Sequence, residues 1–80
     1  MYILMHKGDF WTHCNWSLNE FEAIQFKTIE AARHRAQKVS THQKDKTVHI
    51  IDIEQAKGNY DGVEPVTSFL NGKELELYPD

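Results

Sequence analysis

One stretch of the chain, residues 28–40, constrains the fold most, because it has the pattern of an amphipathic helix. Its apolar residues recur at helical spacing and form one narrow stripe, which consists of Ile29, Ala32, Ala36 and Val39. Thr28 is a suitable N-cap, because its hydroxyl can accept a hydrogen bond from a backbone N–H group of the first turn. Strand-like segments flank this helix on both sides, so we expect it to lie across a sheet.

The strand-like segments predict two hairpins and one central strand. Residues 2–5 and 10–14 flank the turn sequence Lys-Gly-Asp and predict an N-terminal hairpin. Residues 47–53 are β-branched nearly throughout and apolar on both faces, which predicts a central strand. Residues 66–70 and 73–78 flank Asn71-Gly72, the strongest short hairpin signal, because both central residues of a type I′ turn need a positive φ.

The predicted fold class is α+β, with one helix packed on a mainly antiparallel sheet in the order hairpin, helix, central strand, C-terminal hairpin. The chain of 80 residues is expected to form a single domain, 1–80, with one small core.

The segment before the helix is ambiguous. In residues 20–27, Phe21 and Ile24 have helical spacing, whereas Ile24 and Phe26 alternate as in a strand, so both alternatives stay open. Trp16 and Leu18 precede this segment and are expected to cover one end of the core.

The composition is that of an ordinary globular protein, with 40% hydrophobic and 26% charged residues. A single cysteine, Cys14, excludes an internal disulfide and is typical of a reducing compartment. The N-terminal residues lack the pattern of a signal peptide, and no apolar run reaches membrane-spanning length. We therefore expect a cytoplasmic protein that does not bind a membrane.

The charged residues are segregated along the chain, and this predicts two surfaces of opposite charge. Residues 33–51 carry five basic residues and one acidic residue, whereas residues 52–80 carry seven acidic residues and two basic ones. The predicted basic face consists of Arg33, Arg35, Lys38, Lys44 and Lys46. It could contact the phosphates of a nucleic acid or an acidic protein. The predicted acidic hairpin consists of Glu64, Glu74 and Glu76. It could engage a basic groove, such as one that normally holds nucleic acid, and we favour it slightly over the basic face.

Two tryptophans, Trp11 and Trp16, are further candidates for contact with a partner. Together with four phenylalanines they are more aromatic mass than one helix can easily cover in a small domain. Aromatic rings concentrate at the centres of interfaces. Core packing is the expectation for each ring taken singly, and an interaction surface is the alternative.

The sequence contains no recognisable catalytic or metal-binding motif. The five histidines and Cys14 lack the spacing of a zinc site, so scattered surface histidines are expected. We expect Cys14 to be a small buried apolar residue rather than a nucleophile. Asp52 and Glu54, followed by Asp61 and Glu64, are an alternative site for a divalent cation. The prediction is a protein without enzymatic activity, metal or cofactor. A small metal-dependent enzyme is the second alternative.

The helix and the segment before it resemble a pattern of small proteins encoded by bacteriophages and prophages. In that pattern an N-terminal hairpin precedes A-x-x-F-x-T/S-x-E-x-A-x-x-x-A at the start of a helix, and a β-branched strand follows. The matching residues are Ala23, Phe26, Thr28, Glu30, Ala32 and Ala36, and residues 48–53 form the strand. The resemblance covers residues 2–54 and rests on core and cap positions, so it transfers no functional residue.

Some anti-CRISPR inhibitors have a similar hairpin–helix–strand layout, and they are non-catalytic proteins that occupy a surface of a host complex. The resemblance therefore implies a phage- or prophage-encoded binding protein that inhibits or modulates a host protein complex, such as a nucleic-acid-binding effector, inside the host cell. A small nucleic-acid-binding accessory protein that uses the basic face is the first alternative.

Overall fold

The fold is built on an antiparallel sheet, seen in a computed structural model that describes residues 1–12, 15–60 and 62–75. Its six strands within these ranges are β1 (Tyr2–His6), β2 (Asp9–Trp11), β3 (Trp16–Ser17), β4 (Val48–Asp52), β5 (Thr67–Leu70) and β6 (Lys73–Leu75). Their order across the sheet is β3-β2-β1-β4-β5-β6, and all neighbouring pairs are antiparallel. The predicted α+β class and its layout are confirmed.

Both predicted hairpins are closed by two-residue turns. Lys7 and Gly8 join β1 to β2 with φ values of 47° and 85°, and Asn71 and Gly72 join β5 to β6 with φ values of 53° and 84°. Positive φ at both central residues is what a type I′ turn requires, and its twist matches that of the flanking strands. β2 ends earlier than predicted, and the ends of two predicted strands, residues 13–14 and 76–78, lie outside the described residues.

The helix α1 (Ile29–His42) packs across one face of the sheet, against β1, β4 and β5. Thr28 caps it as predicted, because its Oγ1 accepts a hydrogen bond from the Ala31 N–H at 3.2 Å. Ala32 and Ala36 are fully buried, and such small side chains let the helix approach the sheet closely. Among the described residues, neither this helix nor any other has the length and hydropathy needed to cross a bilayer.

The central strand β4 separates two hydrophobic clusters, one on each face of the sheet. The cluster under α1 contains Leu4, Trp11, Ala32, Ala36, Val39, Val48, Ile50 and Phe69. The cluster on the opposite face contains Ile3, Met5, Phe10, Ile51 and Ala56. β4 ends at Asp52, one residue before the predicted end, because Asp52 caps a short helix α2 (Ile53–Ala56) by accepting the Glu54 N–H at 3.0 Å. The two-faced pattern of residues 47–53 therefore reports a strand that is covered on both sides.

Both alternatives for residues 20–27 occur in succession. A 3₁₀ helix spans Glu20–Glu22, and Phe26 then forms an isolated bridge with Tyr2 through two backbone hydrogen bonds of 2.9 and 2.8 Å. Trp16 is half-buried against the core, as expected. The prediction that Leu18 covers the core is wrong, because its side chain is 83% exposed.

Candidate binding surfaces

The cations of the predicted basic face have different surroundings in the structure. Arg33 and Glu74 form an ion pair, with Nη2 and Oε1 2.7 Å apart, although the sequence assigned them to opposite surfaces. Arg35 and Lys38 instead line a cleft on another side of α1. Lys44 and Lys46 follow the end of the helix. The helix therefore presents cations in two separate environments, of which one is neutralised by a carboxylate.

One residue of the predicted acidic hairpin, Glu74, forms hydrogen bonds with side chains of the protein itself. Glu74 on β6 accepts a hydrogen bond from Arg33 through Oε1 and one from Thr67 Oγ1 through Oε2, at 2.9 Å. Glu64 is exposed and lies in the segment before β5. Glu76 lies outside the described residues. The structure thus ties Glu74 to the helix instead of leaving it in a separate acidic row.

A cleft opens between the second half of α1 and β2, and we call it the α1–β2 cleft. Its volume is about 390 Å³, and it is lined by Trp11, Arg35, Lys38, Val39, His42 and Gln43. The helical members at positions 35, 38, 39 and 42 have i, i+3, i+4 and i+7 spacing, so they share one stripe of α1. Trp11 and Val39 are buried and supply an apolar floor, whereas the basic and amide side chains supply the polar rim.

The most exposed apolar side chains of the described residues lie elsewhere, on the segment between β3 and α1. Leu18 and Phe21 are 83% and 89% exposed, and we call this pair the apolar tip. The tip is flanked by the carboxylates of Glu20 and Glu22, both on exposed residues. Single exposed apolar residues are common on protein surfaces, whereas these two large ones lie within four positions of each other.

The backbone that carries the apolar tip is held by a chain of hydrogen bonds. Asn19 caps the 3₁₀ helix, its Oδ1 accepting the Phe21 N–H at 3.0 Å, and its own N–H is donated to Ser17 Oγ at 3.1 Å. Ser17 Oγ–H in turn donates to Glu22 Oε2 at 2.6 Å. These hydrogen bonds hold the turn in one conformation, so an ordered segment carries the exposed side chains of the tip.

The two tryptophans pack against each other at the edge of the core. Their rings meet edge to face, with centroids 5.1 Å apart, and the Trp16 ring also contacts His6. Trp11 is only 7% exposed, so it can contact a ligand only through the part of its surface that lines the α1–β2 cleft. Neither indole N–H has a hydrogen-bond partner within the described residues. Among the described residues, the most exposed aromatic ring is that of Phe21, which sequence reasoning did not single out as a contact.

A second cavity, of about 270 Å³, lies on the sheet face opposite α1. It is lined by Met5, Lys7, Gly8, His49, Ile51, Tyr60, Val63 and Pro65. His49 Nδ1 lies 2.6 Å from the buried Ser68 Oγ, within hydrogen-bond distance. Burial lowers the pKa of His49, and repulsion from His6 lowers it further. Burial also raises the pKa of Tyr60, as does the nearby Glu20 carboxylate.

The residues considered for catalysis or metal binding are dispersed. Across residues 1–12, 15–60 and 62–75, no three histidine, cysteine or carboxylate side chains are grouped so that they could hold a metal ion. Asp52 is used as the cap of α2, and Glu54 follows it on the exposed side. Cys14 and Asp61 lie outside the described residues.

Sequence reasoning named the cations of the α1–β2 cleft and Trp11 of its floor, but it did not bring them together, and it missed the apolar tip. The cleft joins Trp11 of β2 to residues of α1 that lie 24 or more positions later in the chain, and no local pattern shows such a juxtaposition. The apolar tip carries a weak local signal, because Asn19 followed by acidic residues is a helix-start sequence around two apolar positions. No protein-family model, curated protein sequence or solved structure matches this chain.

Proposed function

We propose that this chain is a non-catalytic binding protein, encoded by a phage or prophage, that inhibits or modulates a host protein complex by occupying one of its surfaces. The apolar tip of Leu18 and Phe21 is the observation that carries the proposal. Two large side chains that are more than four-fifths exposed have little role in folding, because the core gains nothing from them. Their position on an ordered turn is the arrangement expected of an interface anchor.

Burial of the apolar tip on a partner supplies a favourable free energy. Moving a Leu or Phe side chain out of water is worth roughly 1.5–3 kcal/mol each. The hydrogen bonds of Ser17, Asn19 and Glu22 hold the turn before binding, so little conformational entropy remains to be lost on association. A preorganised pair of apolar anchors therefore suits the centre of a larger interface, whose surrounding contacts must supply the rest of the binding free energy.

The charges around the apolar tip favour a particular kind of partner. Glu20 and Glu22 flank Phe21, and the sequence has no lysine or arginine between Lys7 and Lys27. An apolar groove with a basic rim complements this arrangement, and such grooves are found on complexes that handle nucleic acid. Complementary charge would speed association and weaken with salt.

The phage or prophage origin in this proposal rests on the pattern of core and cap residues. Thr28 caps α1, and Ala32 and Ala36 of α1 are buried against the sheet. The resemblance rests on these positions, whereas the apolar tip is where this chain would carry its own specificity.

The test is capture of a partner from a bacterial host lysate by three purified forms of the protein. The forms are the wild type, the tip variant Leu18→Ser/Phe21→Ser, and the control Val66→Ser, which changes another exposed apolar residue. We expect one nuclease-resistant, stoichiometric protein partner that the wild type and control retain and the tip variant loses. With the partner purified, we expect the tip variant to bind at least about 100-fold more weakly.

Two outcomes would contradict the proposal. One is a partner that the tip variant binds as tightly as the wild type, because the apolar tip would then not be the anchor. The other is recovery of heterogeneous nucleic acid that disappears on nuclease treatment, which would favour the accessory nucleic-acid-binding alternative.

A further inference from the structure

We propose that the α1–β2 cleft is a nucleotide-binding site, which holds a phosphate at its cationic rim and the face of a nucleobase against its apolar floor. The cleft shares no residue with the apolar tip, so this inference stands independently of the proposed host partner. Its volume of about 390 Å³ lies within the range of small-molecule sites in proteins.

The rim of the cleft carries positive charge that no carboxylate of the described residues neutralises. Within the described residues, neither Arg35 nor Lys38 lies within ion-pair distance of a carboxylate, whereas Arg33, on the same helix, is paired with Glu74. His42 adds an imidazole and Gln43 an amide to the same rim. Several nitrogen donors around one opening suit phosphate, which offers several acceptor oxygens and pairs strongly with guanidinium and ammonium groups.

The floor of the cleft is apolar, so an inorganic anion alone would leave it unused. Trp11 and Val39 are both more than nine-tenths buried and form this floor together. A ligand that uses both parts combines a phosphate with a ring whose face can pack against apolar side chains. That is the chemistry of a nucleotide, whether free in solution or part of a single strand.

The distribution of cations on α1 supports a specific site over a generally basic surface. Arg35, Lys38 and His42 converge on one opening, while Lys44 lies outside the lining and Arg33 is engaged at another side of the helix. Binding should therefore depend on which cation is removed, and not on net charge alone. This difference supplies matched control variants.

The experiment titrates the purified full chain with AMP, adenosine, inorganic phosphate and a short single-stranded oligonucleotide, and follows the backbone and indole amide signals by NMR. We expect saturable binding of AMP with shifts at Trp11 and Lys38, weaker at higher salt. Arg35→Gln and Lys38→Gln should each weaken AMP binding about tenfold or more, because each removes a charged hydrogen-bond donor. The matched control Lys44→Gln should weaken it by less than about twofold, since it removes the same charge outside the cleft.

The other ligands identify what the cleft recognises. If adenosine binds as tightly as AMP, the cleft does not recognise the phosphate. If inorganic phosphate binds as tightly as AMP, the ligand does not use the apolar floor. Either result overturns the inference. So does AMP binding that does not saturate, and so does an equal loss of AMP affinity in Lys38→Gln and Lys44→Gln. An oligonucleotide that binds like AMP indicates a site for free nucleotide. If the oligonucleotide binds much more tightly than AMP and with a stronger salt dependence, and Lys38→Gln still weakens its binding, the nucleotide belongs to a strand.

Discussion

Gly72, in the turn between β5 and β6, donates its backbone N–H to Ser40 Oγ on α1 at 2.9 Å. Ser40 is fully buried, and its hydroxyl in turn donates to the Gln37 carbonyl at 3.0 Å. Beside it, Asn71 Oδ1 accepts the Asp45 N–H at 3.2 Å. The turn that closes the C-terminal hairpin therefore also attaches that hairpin to the end of the helix.

Replacing Gly72 by alanine should destabilise the protein for two separable reasons. The residue has a φ of +84°, which costs a non-glycine residue about 1–2 kcal/mol. A Cβ there would also lie 2.5 Å from Thr41 Oγ1, which donates a 2.8 Å hydrogen bond to the Gln37 carbonyl. Displacing that hydroxyl should add about 1 kcal/mol. Chemical denaturation of Gly72→Ala should show both losses as a lower midpoint.

The control for this prediction is Gly8→Ala in the other hairpin turn. Gly8 has a similar φ of +85°, but a Cβ there would meet nothing within 4 Å, so only the backbone cost applies. In a Thr41→Ala background, Gly72→Ala should cost about as much as Gly8→Ala. If Gly72→Ala costs no more than Gly8→Ala in the wild-type background, the packing of the turn on the helix is not as the structure shows.

Replacing Ala36 by glutamate should destabilise the fold by about 2–4 kcal/mol, because it places a charge under the helix. Ala36 is fully buried in the cluster between α1 and the sheet. Ala31, on the exposed side of the same helix, is the matched control, and Ala31→Glu should change the free energy of unfolding by less than about 0.5 kcal/mol. Equal denaturation midpoints for the two variants would contradict the packing of α1.

The sequence predicted those parts of the fold that depend on neighbouring residues. Each of four features is read from a single short segment: the stripe from Ile29 to Val39, the cap at Thr28, the positive-φ turn at Asn71-Gly72, and the β-branched run of residues 47–53 that is apolar on both faces. Each reflects a local constraint: helical period, capping, turn conformation or strand pleat. The structure confirms all four, and their order along the chain is enough to indicate the α+β class.

Long-range relationships were beyond the same reasoning. Arg33 and Glu74 are 41 positions apart, and only the docking of the β5–β6 hairpin beside α1 makes them an ion pair. Treating them as members of two independent charged surfaces was the natural result of reading charge along the chain. The α1–β2 cleft also depends on long-range packing, because the order of the strands in the sheet places Trp11 of β2 beside α1. Leu18 was assigned to the core because hydrophobicity alone does not indicate which apolar residues remain exposed.

The ion pair also changes how a binding surface can be tested. Reversing the charge of Arg33 breaks its contact with Glu74, and reversing Glu74 breaks the same contact from the other side. Loss of binding in either variant would therefore not identify which side touches a partner. Arg35 and Lys38 lack this coupling within the described residues, so they report on the helix surface alone.

His49 makes the free energy of unfolding depend on pH, and its surroundings determine the direction of that dependence. Its half-buried ring lies beside Ser68, and burial, with a smaller contribution from His6, lowers its pKa below the ordinary value of 6.5. Protonation is therefore less favourable in the folded state than in the unfolded chain. The unfolded state binds more protons as the pH falls through 6.5, so this contribution is present in full above that pH and decreases below it.

We therefore expect the free energy of unfolding of the wild type to fall more steeply between pH 7.5 and pH 5.5 than that of His49→Gln, which cannot titrate in this range. His34→Gln is the matched control, because it makes the same substitution at an exposed position of α1. Urea denaturation of the three proteins at several pH values measures the slopes. Parallel curves for the wild type and His49→Gln would mean that His49 titrates alike in the folded and unfolded states. A steeper curve for His49→Gln would reverse the sign and contradict the desolvation of its ring against Ser68.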